Sequence, residues 1–407
     1  MGGGMLTSVA LLLAMLRQGE PVVFPGRFVE ESVPNATQNE IEALVLFRKL
    51  GPRDRAAEEL LAGSLLGGAK GYNHDEMRAA TVDIGEPLRV QAYPDCLRIT
   101  IGTASNDLES GLEILHALLT GADLSDDSFA AARESLVFQR KGPWEQALDP
   151  ADLPFRKITR HEMEMFYNQN VVPEATSIVV TGPYSPGQAR SAWLELVSDW
   201  QDPKGVRMAP EIERTTPMSS SQGPVSTLRL QGPQVTGSTI PVALLAAYAL
   251  GVGKESSVFR ILRQRDRISY RQEAYLQGEG PGFCLCIATA FLPREDEAGL
   301  GERIRAELVA DVEHWSDVDR SRALALASTT LTGWPNLVPL NLTGLNGPSA
   351  QDRSFLEAYW PMKTGEAWNP AALLSEMQSV SLENLKKMAK SALLGAQATL
   401  VSAKASG

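Results

Sequence analysis

The stretch FRILRQRDRISYRQ, residues 259–272, places five arginines in fourteen positions and sets Tyr270 among them. Guanidinium and phenol groups are both hydrogen-bond donors. A donor preorganised toward charge developing on an oxygen contributes roughly 2.7–4 kcal/mol to lowering a barrier. For a helix starting near Ser256 or Ser257, Val258, Phe259, Ile261 and Leu262 make the buried stripe. Arg260, Gln264 and Arg267 then point away from it and are expected, with Arg265, to be solvated charge. Arg263 sits at the stripe's margin, held without being swallowed, and Tyr270, seven residues on, opens the strand SYRQEAYL; Arg271 fits neither group.

Donors need a nucleophile, and the sequence has no familiar one. It contains no G-x-S-x-G elbow, C-x-x-C pair, G-x-x-x-x-G-K-[ST] loop or G-x-G-x-x-G fingerprint. GGAKGYN (67–73) is glycine-rich but lacks the strand-loop-helix setting of a phosphate cradle. The four histidines, His74, His116, His161 and His314, are too far apart for two to share a helix turn or hairpin. His161 with Glu162, the adjacent histidine-carboxylate pair of the third repeat segment, reads as helix surface or interface. Three cysteines are too few for a disulfide framework; Cys284 and Cys286 fall on one side of a strand and read as buried free thiols.

A chain of 407 residues suits two cores of about 200 residues each. Its 43% apolar and 21% charged content is that of a folded globular protein. A net charge of -11 without any Lys/Arg run argues against nucleic acid as a partner. The longest apolar runs, Met5 to Leu16 and Thr239 to Gly253, fall short of the roughly 20 residues of a membrane span. Residues 1–19 resemble the apolar region of a secretory signal, though no positive charge precedes the run and no A-x-A-like site follows it. A periplasmic or secreted location is favoured over a cytoplasmic one.

The elements that must position the donors are written twice. LLAGSLLGGAK (60–70) lies over LLAAYALGVGK (244–254), each a buried helix ending at glycine. CLRITIGT (96–103) lies over CLCIATAF (284–291), and the same shift matches LESGL (108–112) with DEAGL (296–300). ITRHEMEMFYNQNVVPEATSIVVTG (158–182) lies over VSLENLKKMAKSALLGAQATLVSA (380–403), with Thr159 or Ser381 placed to cap a helix that leads into a strand. Three pairs in one order imply a duplication: a first half over 20–202, a Pro/Ser/Thr-rich linker over 203–224 and a second half over 225–407. Strands and amphipathic helices mix without strict βαβ alternation. The expected fold is therefore α+β, two tandem homologous rolls, each a mainly antiparallel sheet with helices packed on it.

A duplicated half of this kind, the helix AAEELLAGSLLGGAKGYNHDEM and the stretch GVGKESSVFRILRQRDRISYRQEAYL resemble the pitrilysin/insulinase family of inverzincin metallopeptidases, from about Val33 to Val401. Peptide-cutting members hold zinc through H-x-x-E-H on that early helix, where residues four apart share a face and the intervening glutamate serves as base. On this chain the two histidines and the glutamate fall on Glu59, Gly63 and Ala62, so all three roles are empty. The family's later glutamate ligand falls near Glu134, which has no imidazole beside it and reads as a solvated helix face. In the family an arginine and a tyrosine at the spacing of Arg263 and Tyr270 hold the peptide carbonyl and stabilise the oxyanion. Some members are heterodimers that divide zinc and these donors between two chains. The resemblance implies a zinc-less subunit with no cofactor of its own, a peptide substrate and a homologous zinc-bearing partner; a homodimer is the other assembly. The alternative is a catalytically inactive structural or binding protein, in which Arg263 bridges a local carboxylate such as Asp266 or Glu273.

Overall fold

The computed structural model describes residues 22–23, 27–47, 52–93, 96–139, 157–200, 226–279, 282–292, 299–333, 338–340 and 353–401. The signal-like segment 1–19 and the linker 203–224 lie outside them. In the first half, β1 (Val22–Val23), β2 (Arg27–Ser32) and β3 (Gln38–Leu46) precede α1 (Pro52–Ser64) and α2 (His74–Ile84). Then come β4 (Arg89–Ala92), β5 (Cys96–Ala104), α3 (Leu108–Gly121), α4 (Asp126–Gln139), α5 (Arg160–Asn170), β6 (Thr176–Gly182) and α6 (Gln188–Leu196).

The second half begins with β7 (Ser226–Val235) and α7 (Ile240–Gly251), followed by a π-helix over Phe259–Arg265, β8 (Ser269–Glu279) and β9 (Gly282–Phe291). It continues through α8 (Leu300–Glu313), α9 (Asp317–Gly333), α10 (Arg353–Thr364), α11 (Pro370–Ser379), α12 (Leu382–Leu394) and β10 (Gln397–Val401).

The first sheet runs β1-β2-β6-β3-β5-β4 and the second β10-β7-β9-β8. The second order repeats the β6-β3-β5-β4 part of the first strand for strand, and among the described strand pairs only β2–β6 is parallel. Local chemistry explains the matched elements. Thr159 accepts from Glu162 N–H at 3.2 Å while Glu162 returns a bond to Thr159 N–H at 2.8 Å, a full capping box for α5. Ser381 caps α12 by accepting from Asn384 N–H at 3.2 Å. Met163 and Leu385, at matched positions, are both fully buried. Helix α7 is apolar on all sides and buried from Ile240 to Leu250 apart from Val242, with Pro241 in its first turn, where no N–H is missed.

Period-two alternation divides each sheet into two faces. Ile41, Ala43 and Val45 of β3 and Leu97, Ile99 and Ile101 of β5 join the core formed with the first half's helices. On the opposite face Leu44, Cys96 and Val179 share a core with Phe355, Leu356 and Tyr359 of α10. A helix late in the chain thus covers the first half's sheet. It lies over a buried ion pair, Arg98 Nη2 to Glu42 Oε2 at 2.5 Å, with the Arg98 guanidinium 5.4 Å from the Phe355 ring centre. Leu228, Leu230, Ala274, Leu276, Leu285 and Ile287 turn one face of the second sheet into the core built around α7.

Candidate functional site

The positions that sequence reasoning assigned to the emptied metal motif come together. Glu59, Ala62 and Gly63 of α1 line a cavity of about 490 Å³. Across from them α4 contributes Ser128, Ala131, Ala132 and Ser135, and β4 contributes Val90, Gln91 and Ala92, with Tyr93 just past its end. His74, at the start of α2, joins them but is exposed and sits 3.0 Å from the Asp75 carboxylate. Burial pushes the Tyr93 phenol up to about 12, against the opposing pull of Arg98.

Strand β4 is the sheet's edge and gives the cavity a wall of backbone. Tyr93 N–H donates to the Cys96 carbonyl at 2.8 Å, which makes 93/96 a hydrogen-bonded pair. Antiparallel alternation then makes 91/98 and 89/100 hydrogen-bonded pairs as well, in the register observed. Val90 and Ala92 therefore turn their N–H and C=O groups away from β5, to the side where no described strand pairs with β4, and both residues line the cavity.

The donor set does not fit zinc. Glu59 offers a carboxylate, Ala62 a methyl group and Gly63 no side chain. A Cβ built on Gly63 lies 3.0 Å from the Ala132 Cβ and 3.4 Å from its Cα, so α1 and α4 pack where an imidazole would have to stand. Glu134 is exposed and is not among the lining residues, in keeping with a solvated face. Among the described residues no group of three or more His, Cys, Asp and Glu is placed to hold a metal ion.

The arginine-rich stretch differs from the helix that its 3.6-residue period predicts. Residues 259–265 form a π-helix, closed by Asp266 N–H on the Ile261 carbonyl at 3.0 Å. Arg267 follows in the left-handed region at φ 52°, uncommon for a residue other than glycine. Val258, Ile261 and Leu262 are buried as expected, whereas Phe259, expected with them, is half-buried, as is Arg263. Arg260 is the correction. It is no free solvated charge: its Nη2 donates to both Asp311 carboxylate oxygens at 2.9 Å. Ser257 Oγ donates to Asp311 Oδ2 at 2.5 Å, and Trp315 Nε1 donates to Ser257 Oγ at 3.0 Å. At Arg260 the side facing away from the apolar stripe meets α8, a neighbour that single-helix periodicity cannot reveal, while Gln264 and Arg267 are exposed as expected.

Arg265 remains exposed but bonds Asp266 and Glu307, and its hydrogen bond holds the Asp266 carboxyl below the usual range. Tyr270 lies at a register shift between β8 and β9, and its side chain falls outside the described residues. Arg263 is not among the residues lining the first-half cavity.

His161 is exposed on α5, and Glu162 serves the cap. His116 packs edge-on against Trp193 at 6.3 Å, and His314 Nδ1 lies 2.8 Å from the Ala310 carbonyl. Cys96, Cys284 and Cys286 are buried and form no disulfide among the described residues. In GGAKGYN, Gly68 takes φ 130° and passes so close to the Tyr72 carbonyl that a Cβ would lie 2.5 Å from it; the glycine makes a tight turn. Sequence reasoning missed the β4 edge and the Glu42–Arg98 pair. The four residues RVQA are too few to show alternation, and a diagonal pair is visible only once strand register is known.

No protein-family model matches the chain, and no curated protein matches it by sequence. Solved structures do. A protease from Helicobacter pylori superposes with a TM-score of 0.71 at 13% identity, covering 93% of this chain and 97% of its own. A peptidase M16 inactive domain from Pseudomonas fluorescens gives 0.67 at 14% identity over 93% and 95%. A conserved protein from Enterococcus faecalis gives 0.63 at 10% identity over 94% and 97%. Likeness at such low identity fixes the fold, and that fold is M16-peptidase-like: an α+β architecture of two sheets with helices packed on them.

Proposed function

We propose that the chain is a catalytically inactive, peptide-binding subunit of an M16-like peptidase, completed by a homologous partner that carries zinc on an intact H-x-x-E-H helix. One observation carries the reading: the emptied motif positions Glu59, Ala62 and Gly63 line a cavity walled by the edge of β4 at Val90 and Ala92, which no described strand pairs. An extended peptide adds to such an edge through backbone bonds, and its side chains enter the neighbouring cavity. In this reading Arg263 and Tyr270 are the donors that the second half brings to the peptide carbonyl. One of the similar structures is described as an inactive domain, which accords with a chain that binds without cutting.

The test mixes the purified chain with a homologous zinc-bearing chain and follows cleavage of quenched fluorescent peptides. Neither chain is expected to cut well alone, and the mixture is. Arg263→Ala or Tyr270→Phe should slow the mixture by about 10²-fold or more, the effect of losing one oxyanion donor. No gain on mixing, or full activity in both variants, sinks the reading. A second reading, a binding protein without chemistry, draws support from Arg260 and Arg265, which are spent on internal ion pairs. It predicts peptide binding by the chain that no partner converts to cleavage.

A further inference from the structure

The second sheet's outer face holds a cluster that the peptide reading leaves unused. Cys284 and Cys286 stand two residues apart on one side of β9, in a small core with Tyr275 and Ala288. Strand geometry spaces their Cα atoms at about 6.7 Å, at the upper end of the range of about 4.4–6.8 Å that disulfides span and above its mode of about 5.5–6 Å. Arg229 Nη2 donates to Cys286 Sγ at 3.5 Å and to Gln231 Oε1 at 2.9 Å. Tyr275 stands opposite Cys286 on β8; it is 1% exposed, and its hydroxyl has no hydrogen-bond partner among the described residues. Gln277 stands opposite Cys284 with its Oε1 likewise unpartnered. Buried polar atoms left unpaired carry their full desolvation cost, and two of them on the strand facing a pair of thiols point to a bound group.

The duplication supplies a second argument. Aligned strands put Cys286 where the first half has Arg98, and matching registers put Arg229 where it has Glu42. Glu42 faces Thr100 and Arg229 faces Ala288, which are equivalent positions. Both halves thus carry the same diagonal contact with the charge reversed: carboxylate to guanidinium in one, guanidinium to sulfur in the other. A guanidinium in that place favours an anion, and a cation beside a thiol favours the thiolate.

We propose that Cys284 and Cys286, balanced by Arg229, form a binding site for a soft two-coordinate metal ion, Cu(I) in the first instance. Thiolates select Cu(I) among the biological metals. On binding, two thiol protons pass to solvent and two copper–sulfur bonds form; no electron is transferred. The resulting unit carries one negative charge, which the guanidinium offsets. A route to the site runs along the same face, where Arg229, Glu273 and Ala290 are half-buried and Arg271 is exposed.

The full chain, reduced and free of oxygen, is titrated with Cu(I) supplied as its acetonitrile complex against the chelator bathocuproine disulfonate. The expected result is one Cu(I) retained per chain, with thiolate-to-copper absorption in the near ultraviolet. Retention is lost in Cys284→Ser and in Cys286→Ser and kept in Cys96→Ser. In Arg229→Met affinity falls about 10–100-fold, as for loss of a group supporting metal ligands. Circular dichroism before loading identifies any serine variant that fails to fold, and the alanine variants then take its place. Copper left with the chelator by the unaltered chain, or retained by a folded variant lacking either cysteine, overturns the assignment.

Discussion

The two halves share a strand order and differ in what they place at the sheet's centre. In the first, a carboxylate and a guanidinium meet under α10, at 0% and 5% side-chain exposure. In the second, a half-buried guanidinium meets a thiol. The same backbone frame thus carries a closed ion pair on one side and an arginine with a polarisable neighbour on the other. Strand pairing and apolar alternation were kept through the duplication because the core depends on them. The diagonal pair was free to change because only its own partners depend on it.

The largest effect that separates the halves follows from that pair. Arg98→Met removes the guanidinium from a buried carboxylate and should cost about 3–5 kcal/mol, the usual result of breaking a buried pair from one side. Cys286→Ala, at the matched position, removes one sulfur and should cost about 1–2 kcal/mol. Urea unfolding of both variants reads the difference directly. Equal losses would mean that the two diagonals do the same structural work.

A smaller difference is expected at the matched glycines that end the first repeat. A Cβ on Gly251 lies 2.2 Å from the Ala274 backbone nitrogen, and strand β8 would have to move as a whole. A Cβ on Gly67 lies 2.5 Å from the Ser128 hydroxyl, a side-chain contact although that hydroxyl also bonds Asp123. Gly251→Ala should therefore fall near the upper end of the roughly 1–3 kcal/mol cost of overpacking and Gly67→Ala near the lower. Thermal unfolding checks the order, and a Gly67 variant that is the less stable of the two breaks it.

These contrasts mark how much of the molecule was legible in its residues. The duplication was, because helix caps such as Thr159 and Ser381 and strands such as CLRITIGT and CLCIATAF carry their signals locally. The cavity was legible only through the resemblance that singled out Glu59, Ala62 and Gly63. Its walls come from α4 and β4, and nothing in α1 announces them. Arg260 was misread because its acceptor, Asp311, lies 51 residues away. The covering of the first sheet by α10 was invisible for the same reason, since an apolar stripe does not say which sheet it meets.

The smallest contrast lies at the caps of the third repeat. Thr159 and Ser381 each accept one backbone N–H three residues on, both at 3.2 Å. In α5 the third residue is Glu162, which bonds both the N–H and the hydroxyl of Thr159; in α12 it is Asn384. Cap removal typically costs about 0.5–2 kcal/mol. Thr159→Ala also takes away the hydroxyl that Glu162 holds, although Glu162 keeps its bond to the backbone N–H. The carboxylate at the helix N-terminus stays favourable in either case. Thr159→Ala should thus exceed Ser381→Ala by a few tenths of a kcal/mol, and the gap should vanish in a Glu162→Ala background. A gap that survives there would assign the difference to packing of the threonine methyl group rather than to the capping box.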